Sequence, residues 1–199
     1  MNSTSKVKKL TGVALITALE IILNYISGFI TIGQVNINLA LIPIIVGACI
    51  YGPSAGAFIG AVNGIMTCFA PSTVALFIPH NPVATVILCI LKTAAAGFAA
   101  GLIYRLINKD GRRDLPGAIA ASAVVPIINT GIYILGVYAF FLPIYEQWND
   151  KGMNIFIFVI ISVITVNFLI ELAISLILSP AVQRIIRIAP SKFGSKTYK

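Results

Sequence analysis

The chain has 199 residues, of which 58% are hydrophobic and only 10% charged, and its mean hydropathy is +0.98. A soluble domain carries about 25% charged residues, so a soluble globular fold is excluded. The reading is an all-α integral membrane protein. The net charge of +8 does not point to nucleic acid. Twelve of the fourteen Lys and Arg fall in three clusters: Lys6, Lys8 and Lys9; Arg105, Lys109, Arg112 and Arg113; Arg184, Arg187, Lys192, Lys196 and Lys199. Each cluster flanks an apolar run, as the positive-inside rule requires, and no nucleic-acid partner is expected.

A helix needs about 20 apolar residues to cross the hydrocarbon core, and six apolar runs meet or approach that length. They are continuous rather than alternating, which favours helices over a barrel. The first, Leu10 to Ile30, is too long for the apolar part of a signal peptide and lacks a convincing cleavage site, so no cleaved leader is expected. It contains "ALITA", with Ala14 and Ala18 four apart near its start, and Glu20 at mid-depth. The loop 31–36 that follows offers Gln34 and Asn36 as candidate lid residues.

The second run, Ile37 to Tyr51, and the third, Pro53 to Phe69, are short and joined by the tight turn "YGPSAG". Gly52, Gly56, Gly60 and Gly64 recur every four residues and form one stripe on the third run. Small residues at this spacing let helix backbones approach closely in lipid; internal packing is the favoured reading. Asn63 beside the stripe reads as a helix-packing hydrogen bonder. The loop 70–81, "APSTVALFIPHNP" with the prolines that bound it, is apolar for an exposed segment and is expected to fold back over a cavity. It would set His80, the sole histidine, and Asn81 at its mouth.

The fourth run, Pro82 to Leu106, holds Lys92 among alanines, with Gly97 and Gly101 beyond it. A charge near a bilayer centre costs at least about 2.5–3.5 kcal/mol, and such residues face the bundle interior. The fifth run, Leu115 to Leu142, carries Asn129, with Tyr133 one turn outward. Tyr145 and Trp148 beyond it read as interface anchors. The sixth, Ile155 to Leu178, carries Asn167 and, one turn on, Glu171, and continues as an amphipathic helix through Val182, Ile185 and Ile186. At 1.5 Å per residue, Lys92, Asn129 and Asn167 lie about 15, 20 and 18 Å from the outer ends of their helices. Three polar residues on three helices thus share a depth. Lys92 then has three readings: it binds a substrate carboxylate, it pairs internally with Glu20 or Glu171, or it does both in succession, a ligand carboxylate displacing or sharing the internal counter-ion.

Six spans put both termini on one side. The three basic clusters then share that side, which the positive-inside rule makes cytoplasmic. The chain reads as a single six-helix domain over 1–199, with a basic tail from about residue 190 and a cell-membrane location. Cys49, Cys68 and Cys89 lie in apolar runs without metal-ligand spacing, so neither disulfide nor metal is expected. No internal repeat suggests a pseudo-symmetric carrier, and no G-x-x-x-x-G-K-[ST] phosphate loop is present. There is also no H-E-x-x-H, no G-x-S-x-G and no cluster of acids with histidine, so no catalytic residues and no cofactor are assigned.

The chain resembles the substrate-binding S components of energy-coupling-factor (ECF) vitamin transporters. The features that carry the likeness are the six-span layout, "ALITA", and "NINLALIPIIVGACIYGPSAGAFIGAVNG" across the second and third runs. "PHNPVATVILCILKTAAAGFAAGLIYRLI", "PIINTGIYILG" and "VNFLIELAISLILSP" extend it through the fourth, fifth and sixth. The resemblance implies a bundle that captures a vitamin from outside and docks on a membrane T component bound to two cytoplasmic ATPases. It implies that Ala14 and Ala18 form the docking face, and that the bundle topples in the membrane to carry its site across. Spans two to five look closest to pantothenate-type members. The alternatives are a self-sufficient carrier or channel for a small anionic solute, with Glu20, Glu171 and Lys92 as a proton relay, and, least supported, an intramembrane enzyme.

Overall fold

The structure is a computed structural model. It describes residues 3–27, 31–32, 35–36, 39–109, 113–149, 152–163 and 168–188, the side chains of 3–5, 31–32, 35–36 and 162–163 excepted. The described residues form nine α-helices and one short strand pair. α1 spans Ser3–Ser27, α2 Leu41–Tyr51, α3 Pro53–Cys68 and α4 Pro71–Leu76. α5 spans Pro82–Ile107, α6 Asp114–Gly136, α7 Leu142–Trp148, α8 Ile155–Val163 and α9 Leu169–Ile188. β1 (Thr31–Ile32) pairs antiparallel with β2 (Val35–Asn36).

The helix boundaries follow local chemistry. The Asn81 side chain caps α5 by accepting from the Ala84 amide at 3.0 Å, and Pro82 occupies its first turn, where no intrahelical donor is lost. α2 ends at Gly52, whose φ of +96° is costly for any residue with a Cβ. Pro53 then starts α3. A π turn, Val137–Phe141, joins α6 to α7, so one continuous helical segment runs from Asp114 to Trp148, past the Leu142 limit of the fifth apolar run.

Among the described residues, four helical segments are long and apolar enough to cross a membrane: Lys6–Ser27, Pro82–Ile107, Asp114–Trp148 and Leu169–Ile188. α2 is equally apolar but has 11 residues, about 16 Å of helix. It is buried almost all round, as expected of a helix without a polar face. The sixth apolar run begins as α8 and resumes as α9, which continues to Ile188 and buries Val182.

The central contact is α3 against α5. A Cβ at Gly56 would strike the Gly97 carbonyl, one at Gly60 the Thr93 carbonyl, and one at Gly64 the Cys89 carbonyl. The stripe is therefore internal packing, backbone against backbone. α6 packs on the next face of α5, and α9 on α6.

Basic residues of α1, α5 and α9 gather at one end of this bundle. Arg105 lies against Gly52, Lys6 and Lys9 face Ser54, and Arg187 Nε meets Asp114 Oδ2 at 3.3 Å. Asp114 Oδ1 also accepts from Asn108 Nδ2 at 2.7 Å and from the Tyr104 hydroxyl at 3.1 Å, tying α5, α6 and α9 together there. Leu10, Leu15, Leu19, Ile22, Phe58, Leu91, Phe98, Ile177 and Ile188 are exposed on the outside. Apolar exposure on this scale suits a lipid-facing belt.

Replacing Gly60 with Leu drives a side chain into the α5 backbone, an overpacking that costs about 1–3 kcal/mol or more. Gly131, which has nothing within 4 Å of its would-be Cβ, is the control. Gly60→Leu is expected to lower the unfolding midpoint and folded yield in detergent, and Gly131→Leu to leave both near the parent. Equal behaviour of the two variants would contradict the α3–α5 contact.

Candidate functional site

Two apolar clusters fill the bundle, one nearer the basic end and one nearer the opposite end. The first includes Ile44, Ile45, Ala96, Ala100, Ala121, Val125 and Val182. The second includes Leu88, Val137, Phe141, Ile144, Tyr145 and Val159. On α5, Leu88 belongs to one and Ala96 to the other, and Lys92 and Thr93 lie between. Along the continuous segment of α6 and the π turn, Val125 and Val137 belong to the two clusters, and Asn129 and Thr130 lie between. A polar layer thus separates two apolar ones across the middle of the bundle.

Lys92 is half-buried, and its Nζ sits 5.0 Å from the centroid of the Tyr133 ring, within cation–π range. Among the described residues Lys92 forms no ion pair. The Tyr133 hydroxyl is 2.9 Å from that of Tyr145, and Phe77 meets the Tyr133 ring edge-on at 6.2 Å between centroids. Phe77 also packs edge-on to Phe141 at 5.2 Å. Phe77 belongs to the apolar segment 70–81, which therefore turns inward through this side chain. Tyr145 is 3% exposed, and its ring lies tilted at 59° against that of Trp148, 5.2 Å between centroids. Its reading as an interface anchor is corrected: a hydroxyl partner within the bundle lets the whole ring be buried.

Asn129 is buried, and among the described residues its Oδ1 has no hydrogen-bond partner; the same holds for the hydroxyl of Thr130. Buried polar groups are normally satisfied, and an exception calls for an explanation. Thr93, by contrast, donates to the Cys89 carbonyl at 2.9 Å. Thr130 was not singled out from the sequence, because a threonine inside a helix ordinarily bonds back to its own preceding turn. The adjacent asparagine was the available signal.

The remaining site residues scatter. Asn81 caps α5, and His80 is exposed at the same end. Glu20 is fully buried, with Oε1 accepting from Asn63 Nδ2 at 2.8 Å. Glu171 is buried at the start of α9. Gln34 and Asn167 lie outside the described residues, and of Asn36 only the backbone is described, in β2. Ala14 and Ala18 are exposed on α1, flanked by exposed Leu10, Leu15, Leu19 and Ile22. The three cysteines are free and buried. Among the described residues no group of three or more His, Cys, Asp or Glu could hold a metal.

The chemistry available at the layer is one ammonium, one amide and one hydroxyl, set among aromatic rings. That set can neutralise an anion and hydrogen-bond a neutral polar group beside it.

A search of curated proteins found no match. Among solved structures, that of ThiT from Listeria monocytogenes superposes with a TM-score of 0.66, covering 94% of this chain and 98% of that one at 20% identity. At that identity the likeness establishes the fold. A family profile described as the substrate-specific component of ECF transporters matches residues 8–183, nearly the whole chain. The protein is therefore a member of the ECF transporter substrate-specific component family, membrane proteins that serve as the substrate-binding subunits of importers.

Proposed function

We propose that this component captures a carboxylate-bearing vitamin from outside the cell, pantothenate being the best fit, and docks on a T component carrying two ATPases. In this reading six segments cross the membrane, both termini are cytoplasmic, and the energy comes from ATP hydrolysis by the partner chains. The observation that carries the reading is Lys92: a half-buried ammonium at mid-span, over an aromatic ring, with no ion-pair partner among the described residues. An anionic ligand would supply the missing charge. Pantothenate also carries an amide and hydroxyl groups, which the orphan Asn129 Oδ1 and Thr130 hydroxyl can meet. His80, Asn81, Gln34, Asn36 and Asn167 are proposed as further contacts around the mouth and at the same depth. The docking face is the exposed stripe of Ala14 and Ala18 on α1.

Replacing Lys92 with Met keeps most of the length and removes the charge. Losing a charge-assisted hydrogen bond costs about 1.5–3 kcal/mol, so pantothenate affinity, read by calorimetry on the detergent-purified protein, is expected to fall roughly 10- to 150-fold at near-parental yield. Should yield fall instead and recover in the double variant Lys92→Met with Glu171→Gln, the lysine serves an internal pair and the substrate role is wrong.

Trp at Ala14 or Ala18 is expected to abolish ATP-driven uptake while leaving ligand binding by the isolated chain unchanged. Parallel loss of both would make this face internal. Transport by the chain alone in liposomes would replace the docking scheme with a self-sufficient carrier.

Cysteines introduced at Lys109 and Lys196 are expected to react only with cytoplasmic reagent, and one at Asn149 only with external reagent. Reaction of the Lys109 position from outside would overturn the orientation.

A further inference from the structure

A groove of about 310 Å³ opens on the outside of the bundle between α1 and α3, at the basic end. Lys6, Lys9 and Ser54 supply its polar lining, and Leu10, Val13, Ala55 and Phe58 its apolar lining. Among the described residues no acidic side chain lines it. Leu10 and Phe58 are exposed, so the apolar wall continues onto the lipid-facing surface. The two lysines sit in the first turns of α1, immediately before its apolar run, a placement that suits the headgroup level of a bilayer.

We propose that this groove binds one anionic phospholipid, its phosphate on Lys6 and Lys9 and an acyl chain along Leu10, Val13 and Phe58. Two ammonium groups without a carboxylate in the same groove call for an anion, and the adjoining apolar wall calls for a hydrocarbon chain. One molecule in the surrounding bilayer carries both. The groove is not the alanine stripe under another name. At 100° per residue, Lys6, Lys9, Leu10 and Val13 cluster on one side of α1, and Ala14 and Ala18 lie about 110° around the helix from their centre. A lipid can therefore sit in the groove while the stripe remains open.

The test uses the full chain in detergent and native mass spectrometry with phosphatidylglycerol and phosphatidylcholine. Each basic residue at a membrane surface favours an anionic lipid roughly fivefold. The parent is expected to prefer phosphatidylglycerol about 30-fold, and the Lys6→Gln, Lys9→Gln variant to lose that preference at an unchanged unfolding midpoint. The double arginine variant and the control Lys109→Gln are expected to retain it. Phe58→Ser should lower occupancy by both lipids and keep their ratio. The proposal fails if the parent does not discriminate, if the double glutamine variant still does, or if Phe58→Ser changes nothing. It fails equally if glycerol 3-phosphate alone stabilises the protein as well as the lipid does. If the double glutamine variant loses assembly with the transporter's other subunits in lipid-free detergent, the groove is a protein contact and the lipid assignment is wrong.

Discussion

The closeness of α3 and α5 governs the rest of the molecule. In lipid, two helices gain little from apolar association, because the surrounding chains are as apolar as they are. What holds them is dispersion between surfaces in contact, and that contact is greatest where no side chain intervenes. Gly56, Gly60 and Gly64 bring α3 onto the carbonyls of Gly97, Thr93 and Cys89. α5 is fixed by this contact on one face, leaving another face for α6. Lys92 inherits its position from that arrangement: it extends from a helix whose rotation is already determined by its glycine-facing side.

The polar layer depends on the same geometry. The alanines beyond Lys92 allow α5 to pack tightly towards the basic end, where Ala96 and Ala100 are completely buried. Towards the opposite end the packing passes to large rings: Phe77, Tyr133, Phe141, Tyr145 and Trp148. Small residues below and aromatic residues above leave the lysine at a change of packing style.

Much of this was legible in the sequence, for reasons that differ by element. The glycine stripe could be read because a four-residue spacing of small side chains has one main physical use in a membrane helix. The depth of Lys92 could be read because helical rise is constant. The role of Asn63 as a packing hydrogen bonder was legible, but its partner Glu20, 43 residues away in sequence, depends on a pairing of α1 with α3 that local pattern does not specify. The inward turn of segment 70–81 was legible in its apolar composition, though not that Phe77 carries it. Tyr145 was read as an interface residue; its burial follows from the π turn at Val137–Phe141, set by tertiary packing. Gly52 looked like the first member of the stripe, yet its φ of +96° shows that a turn explains it as well.

The hydrogen bond from Asn63 to Glu20 has a consequence for direction. α1 presents large apolar side chains to lipid over most of its length, and lipid discriminates poorly among them. A helix of that kind has few reasons to prefer one azimuth about its own axis. A fully buried carboxylate held by an amide on α3 supplies one, since any appreciable rotation would carry Glu20 out of its bond and into hydrocarbon. Together with Val13 and Ile16, which pack against the core, this contact also aims the rest of the helix, successive residues being 100° apart, including Ala14 and Ala18 less than two turns away. Glu20 thus acts as a compass needle for a surface it does not touch.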